Sequence, residues 1–351
     1  MEVTASIRYK KVRQIGHGQG MNSEVYLAHD KFTGREIVVK EISKSLLRAQ
    51  SLKDYFTEAK SMAGSQDPAN VVPIHYACNT HSHVGIAMPY YKNGSLQDRI
   101  ADGPLAVATV IKVAQGVLNG VSKIHQANVV HFDIKPSNIL FSDADKPMVA
   151  DFGQARAVAA SGTVDMPPLY PDAPPPEVYN SNAIGTRATD IYHMGLLLYR
   201  AVNGDPFFKL QTPFSDIDMM AKTVAGKFPD RQLFMPHVPK YLRTIIRKAL
   251  SVAEKDRHQS AAELSDDLTK VRLVNHWTID IEPSGRIRWE SAPAGRNKLL
   301  VELARTSKGY DVRVFSIGKQ QRAKKTDGFW QGGLSHGRAM KHLKFVFEKL
   351  G

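Results

Sequence analysis

His131-Phe132-Asp133-Ile134-Lys135-Pro136-Ser137-Asn138-Ile139-Leu140 is the stretch that decides how this chain is read. A carboxylate, a lysine and a carboxamide stand at short fixed offsets, and apolar residues follow. Pro136 interrupts any helix between Asp133 and Asn138, because it has no amide proton and its ring clashes with the preceding turn. The stretch therefore predicts a loop running into a short strand, Asn138 to Phe141. A second apolar run, Pro147-Met148-Val149-Ala150, leads directly into Asp151-Phe152-Gly153. Two carboxylates and one carboxamide delivered from the ends of a small hairpin suit a hard cation, which prefers oxygen ligands.

Working outward, 351 residues with 42% hydrophobic content can bury a core and leave room for two domains. Cys78 is the sole cysteine, which excludes an internal disulfide and any cysteine-cluster metal site. No apolar run approaches the ~18 residues of a membrane span. The N-terminus shows no basic-then-apolar leader, so the expected location is cytoplasmic. The formal charge is +13, and residues 276–351 hold 15 Lys+Arg against 7 Asp+Glu, a net +8.

Upstream, alternating and β-branched residues predict strands at Tyr9–Ile15, Val25–Ala28 and Glu36–Lys40. Gly16-His17-Gly18-Gln19-Gly20-Met21-Asn22-Ser23 lies between the first two. By itself such a run is most often only a turn, although small residues also let backbone amides approach phosphate oxygens. A helix is expected over about 52–63, a strand over Val84–Met88, and a long helix over Val107–Gln126.

In order and spacing, His131-Phe132-Asp133 through Asn138, followed by Asp151-Phe152-Gly153, resembles the catalytic and metal loops of eukaryotic-like serine/threonine protein kinases. The resemblance covers about the first 270 residues. It implies a bilobal α+β fold: a β-rich small lobe over about 1–88, then a hinge and helical large lobe over about 89–275. ATP and Mg²⁺ are the implied cofactors, and serine or threonine hydroxyls of proteins the implied acceptors.

The same resemblance assigns roles. Asp133 would be the base, Lys135 would neutralise charge on the transferred phosphate, and Asn138 and Asp151 would hold the metal. Lys40 would hold the α/β-phosphates, with Glu58 as its partner; Glu41, its strand neighbour, points to the opposite face. The nucleotide would lie against Gly16, Gly18, Gly20, Ser23, Val25, Val38, Met88, Tyr90 and Leu140, with Met88 as gatekeeper and Pro89–Leu96 as hinge. Pro175-Pro176-Glu177 resembles the close of an activation segment, and Arg257 the late arginine that pairs with its glutamate. Asp190 is expected to bond the catalytic-loop backbone.

Four departures stand out. Two residues are inserted in the glycine-rich loop, with Ser23 where the third glycine falls. Val38 replaces the family's usual alanine. Phe132 replaces an arginine able to bind a phosphate on the activation segment, which implies activity independent of such a phosphate. The run that docks peptides lacks its threonine, Tyr170 standing in its place. Two rival readings follow: a kinase fold with a non-protein acceptor, and a nucleotide-binding pseudokinase scaffold. The latter usually lacks one of the lysine, base or metal ligands, and all of them are present here.

From His276 the pattern changes to strand-like runs and a final helix over about 334–350, with no family resemblance. Arg286, Arg288, Arg313, Lys319, Arg322, Lys324 and Lys325, with Trp289, Phe329 and Trp330 near them, admit two readings. One is a small solvated α+β domain packed on the large lobe. The other is a basic, aromatic face that recruits nucleic acid or an acidic protein.

Overall fold

The computed structural model describes residues 7–15, 23–44, 70–167, 174–213, 215–318, 323–326 and 328–350. The N-terminal part is a five-stranded antiparallel sheet built from β1 (Tyr9–Ile15), β2 (Ser23–Asp30), β3 (Glu36–Ser43), β4 (Tyr76–Asn79) and β5 (His83–Pro89), in the order β1-β2-β3-β5-β4. Its alternation sorts side chains by face. Ile37 and Val39 join Ala28 and Ala87 in one buried cluster, with Tyr9 and Tyr76 packed against it. Val38 and Lys40 therefore face the other way, toward the large lobe. Glu41 shares the Ile37 face, where it accepts from Tyr9 Oη at 2.9 Å and pairs with Lys11 Nζ at 2.7 Å. Val71-Val72 flank the hairpin of the large lobe, where Val71 bridges Val149, and the chain then enters β4 at Tyr76.

The large lobe is helical. A short helix, α1 (Leu96–Ile100), is capped by Ser95 with Asp98 in a reciprocal capping box. The helix α2 (Val107–Gln126) has the range its periodicity predicts. At Gly120 a Cβ would stand 2.5 Å from the carbonyl oxygen of Asn70, so this glycine permits the close pass of the interlobe chain over α2. After β6 (Val129–Val130) come the hairpin β7 (Ile139–Phe141) and β8 (Pro147–Val149), then β9 (Arg156–Ala157), β10 (Val164–Asp165) and β11 (Ile184–Gly185). The helix α3 (Arg187–Asn203) is buried along almost its whole length and forms the axis of the lobe. Around it stand α4 (Asp205–Lys209), α5 (Asp216–Val224), α6 (Lys240–Ala249) and α7 (Ala261–Thr269).

The C-terminal residues form a second sheet of β12 (Thr278–Ile281), β13 (Ile287–Ser291), β14 (Lys298–Thr306), β15 (Gly309–Ile317), β16 (Ala323–Lys325) and β17 (Gln331–Leu334), closed by α8 (His336–Leu350). Residues 331–334, at the edge of the expected helix, pair with β15 as a strand. The sheet does not keep a core to itself. Trp277, Trp289 and Phe347 pack edge to face, with ring centroids 5.1 and 5.4 Å apart, and belong to one buried cluster with α2, α3 and α6. Trp289 Nε1 donates to His237 Nδ1 of the large lobe at 3.2 Å. No helix among the described residues is long and apolar enough to cross a membrane.

Candidate active site

The loop from His131 to Asn138 is held from below by one buried carboxylate. Asp190, in the first turn of α3, accepts from the backbone N–H of His131 and of Phe132, each at 2.9 Å, and bonds His125 Nε2 at 2.8 Å. Burial alone would raise its pKa, but hydrogen bonds from His125 and from the loop backbone prevail and lower it. Asp190 is thus an ionised anchor. It holds Phe132 at φ 63°, a left-handed conformation that costs a bulky side chain about 1–3 kcal/mol.

His131 is a spacer between the two loops. Burial lowers its pKa and keeps the ring neutral near pH 7. Nδ1 accepts from Asp133 N at 3.2 Å, so the proton sits on Nε2, which donates to the Ala150 carbonyl at 3.2 Å. Its ring meets Phe152 edge to face at 4.8 Å. The β7–β8 hairpin closes the frame: Ile139 pairs with Val149, and Ala150 N donates to the Asn138 carbonyl at 2.8 Å. Two residues 13 apart in sequence, Asn138 and Asp151, are thereby brought to the same end of one hairpin.

Within this frame the polar groups converge. Lys135 Nζ lies 3.0 Å from Asp133 Oδ2, and Asn138 Nδ2 donates to the same oxygen at 2.9 Å and to the Asp133 carbonyl at 2.8 Å. Pro136–Asn138 form a single tight 3₁₀ turn, so Pro136 bends the chain back and points Asn138 at Asp133. Lys40, from the small lobe, forms an ion pair with Asp151. Burial acts to raise the Asp151 carboxyl, yet Lys40 and the Gly153 N–H outweigh it, and its pKa lies below the ordinary carboxylate value. Asp151 also has a positive φ, 62°, which turns its side chain toward Lys40.

A carboxylate and a carboxamide at one hairpin end form an oxygen donor set that fits a hard divalent cation completing its shell with phosphates and water. No cluster of three or more His, Cys, Asp or Glu suited to a metal occurs among the described residues, so phosphate oxygens would have to supply the rest.

The other predicted residues are placed as follows. Val25 pairs with Lys40 and Val38 with Met88, both across the sheet. Ser23 begins β2. Leu140 and Met88 pack against the cluster of Val72, Met148 and Ala150, forming the floor where the lobes meet. Tyr90 is half-buried in the hinge, which Phe141 N ties to β7 by donating to the Gly94 carbonyl at 3.0 Å. Gly16, Gly18, Gly20 and Glu58 lie outside the described residues.

Two contacts lock the activation segment. Arg257 and Glu177, both buried, form a two-pronged pair at 2.8 and 2.7 Å. Phe132 is buried, and a Cβ on Gly185 would fall 2.3 Å from its ring. Sequence reading marked Phe132 only as the loss of a phosphate ligand. Its packing on β11 carries no local sequence signal.

Two lobes joined by a hinge, with a lysine from the sheet meeting the aspartate of a hairpin beside a loop aspartate, lysine and asparagine, define a protein kinase. The chain belongs to the protein kinase domain family, which it matches over residues 9–268. It is 28% identical over 274 residues to the serine/threonine-protein kinase PknB of Mycobacterium leprae, an alignment spanning 76% of this chain and 43% of that protein. It is 27% identical over 274 residues to PrkC of Bacillus subtilis (74% and 40%), and 30% identical over 281 residues to PknB of Mycobacterium tuberculosis (76% and 43%). The chain thus spans about two-fifths of the length of these relatives. Family membership carries ATP and a divalent metal as cofactors.

Proposed function

We propose that the protein transfers the γ-phosphate of ATP to serine or threonine hydroxyls of protein substrates. The observation that carries this reading is the convergence of Lys135 and Asn138 on one oxygen of Asp133, beside the Lys40–Asp151 pair. Phosphoryl transfer asks for positioning and charge neutralisation more than covalent chemistry. Asp133, fixed by two donors, accepts the hydroxyl proton and aims the attacking oxygen. Lys135, within reach of that carboxylate, neutralises charge on the moving phosphoryl group. Lys40 holds the α/β-phosphates.

Asp151 and Asn138 are the residues that would hold Mg²⁺, which supplies charge compensation along the phosphates. Val25, Val38, Met88, Tyr90 and Leu140 would enclose the adenine, together with the glycine-rich loop, and Glu58 would orient Lys40. The proposed division is a kinase unit over 1–275 and an appended basic unit over 276–351, and the proposed location is the cytoplasm.

The names of the relatives support the acceptor class, and the presence of every required side chain argues against a scaffold that binds nucleotide without turnover. The test is transfer of labelled phosphate from ATP to a protein mixture, followed by phospho-residue analysis, with Asp133→Asn as control. Label on serine and threonine that vanishes in the variant is the expected result. Nucleotide binding without transfer would establish the scaffold, and transfer to non-protein material alone would establish the other acceptor class.

A further inference from the structure

The positive charge of the C-terminal residues is unevenly compensated. Arg288, Lys298 and Arg313, along β13 to β15, face carboxylates at 3.0, 2.5 and 2.9 Å. Lys324 and Lys325 of β16 and Arg338, Lys341, Lys344 and Lys349 of α8 are exposed. No carboxylate among the described residues lies within ion-pair distance of any of these. Glu348 is the only acidic residue in α8.

The uncompensated cations stand beside exposed rings. Trp330 is 38% exposed, with Lys325 Nζ 4.1 Å from its ring centroid. Phe345 is 44% exposed, with Lys349 Nζ 6.0 Å from its centroid. Phe329 links the two, since it precedes Trp330 in the chain and its ring lies 6.2 Å from that of Phe345. We propose that this edge of the C-terminal sheet binds single-stranded nucleic acid. Bases would stack on Trp330 and Phe345 while phosphates meet the neighbouring lysines. The surface uses no residue of the candidate active site.

Geometry chooses among polyanions. Val312 and Val314 of β15 share a buried cluster with Leu343, Val346 and Phe347, so α8 lies on that face of the sheet. Arg313 and Phe315 alternate with the two valines and face the other way. Trp330 packs on that opposite face, 6.1 Å from the Phe315 ring and 5.8 Å from the Arg313 guanidinium. The two cation–ring pairs are therefore joined round the β16–β17 edge and do not share a plane. A flat bilayer cannot touch both. A duplex is stiff and keeps its bases stacked inside, and an acidic polypeptide has charge without bases to lay on the rings. A single strand bends round an edge, and each of its bases offers a π-face.

The test uses the full chain and a fluorescein-labelled short oligonucleotide of mixed sequence, as RNA and as DNA. The same strand in duplex, phosphatidylserine vesicles and poly-glutamate are the competing probes. Anisotropy should show single-strand binding at low salt, with a log–log salt slope of about −2 to −3 for three or four neutralised phosphates. Trp277 and Trp289 are buried, so quenching of tryptophan emission on binding reports on Trp330. Trp330→Ala and Phe345→Ala should each weaken binding about five- to hundredfold, the range of one lost base–aromatic stack. Lys325→Gln and Lys341→Gln remove no ring, and each should make the salt slope shallower by about 0.7. Lys255→Gln, on the large lobe, should change neither affinity nor slope. No binding at low salt, no quenching, or unchanged affinity in both folded ring variants would each overturn the proposal. So would duplex, vesicles or poly-glutamate binding as tightly as the single strand.

Discussion

Asp133 and Asp151 differ in what surrounds them, and their removal should differ accordingly. Asp133→Asn leaves an isosteric group beside Lys135 and Asn138, so the fold should hold while transfer falls by about 10²–10⁴, the usual yield of a positioned base. Asp151→Asn breaks the Lys40 ion pair and removes an oxygen charge from the proposed metal site. It should abolish transfer and raise the Mg²⁺ needed for nucleotide binding. Steady-state phosphorylation and circular dichroism on each purified variant check this, and near-normal turnover of either would sink the assignment.

Phe132 belongs to the same scale. An arginine there could receive an activating phosphate. Phenylalanine offers no donor and instead packs on Gly185. Phosphatase-treated enzyme should therefore retain its rate, whether or not Ser161 or Thr163 carried phosphate beforehand. Gly185→Ala should cost about 1–3 kcal/mol of stability, the scale of overpacking a filled site, because the ring cannot retreat from a Cβ at 2.3 Å without leaving the core.

Among elements, the 3₁₀ turn Pro176–Tyr179 is tied to the turn before α7 by Glu177 and Arg257. Breaking one side of a buried pair strands a charge and costs about 3–5 kcal/mol. Arg257→Met should therefore lower the urea midpoint sharply. The pair also predicts a pH dependence. Burial tends to raise the Glu177 carboxyl, but the Arg257 hydrogen bonds and charge prevail and depress it. A depressed carboxyl contributes stability that is full above its unfolded pKa of about 4.3 and is lost as pH falls through the lower folded value. Wild-type protein should thus lose stability below about pH 4 more steeply than Glu177→Gln, as measured by urea titrations at several pH values.

The element α8 adds basic side chains to those expected to serve a partner of the C-terminal residues. Arg288 is paired with Glu302 at 3.0 Å, Arg286 lies 3.9 Å from Glu282, Arg313 pairs with Asp311 at 2.9 Å, and Trp289 is fully buried. These three arginines are paired and Trp289 is enclosed, whereas Lys324, Lys325 and Trp330 of the same expectation are exposed, with Lys325 Nζ 4.1 Å from the Trp330 ring centroid. Lys319 and Arg322 lie outside the described residues. The exposed side of α8 also carries Arg338, Lys341, Lys344 and Lys349 around Phe345, which is 44% exposed. If a polyanion is recruited, this helix should share the contact. Single-stranded nucleic acid binding by the full chain should then fall with salt at a log–log slope of about −2 to −3, for three or four neutralised phosphates. Fluorescence anisotropy with RNA, DNA and an acidic polypeptide measures it, and absence of binding at low salt leaves packing as the role of the segment.

At the scale of the molecule, the C-terminal sheet shares its core with the large lobe. Trp289 is fully buried and hydrogen-bonded to His237. Trp289→Ala should cost about 3–5 kcal/mol and lower the melting temperature of the entire large lobe, because the cavity opens between them. A chain cut after residue 275 should likewise melt earlier or aggregate, since it exposes apolar surface along α2 and α6. Differential scanning calorimetry distinguishes one coupled transition from two independent ones.

The sequence by itself determined the elements whose signals are local. The strands read at Tyr9–Ile15 and Val84–Met88, the latter observed one residue longer at each end, and the helix Val107–Gln126 follow from residue type and helical spacing, and the candidate catalytic stretch from the order of Asp133, Lys135, Asn138 and Asp151. Those signals lie within a few residues, where backbone geometry dictates which side chains share a face. The resemblance already implied two long-range contacts, Glu177 with Arg257 and Asp190 with the loop backbone, whereas only the tertiary structure decided that Phe132 meets Gly185 and Trp289 meets His237. The last of these turned residues read as an exposed aromatic surface into core. A tryptophan between Arg288 and Glu290 has the same local pattern whether its face of the strand meets water or a core, and only the partner surface settles which.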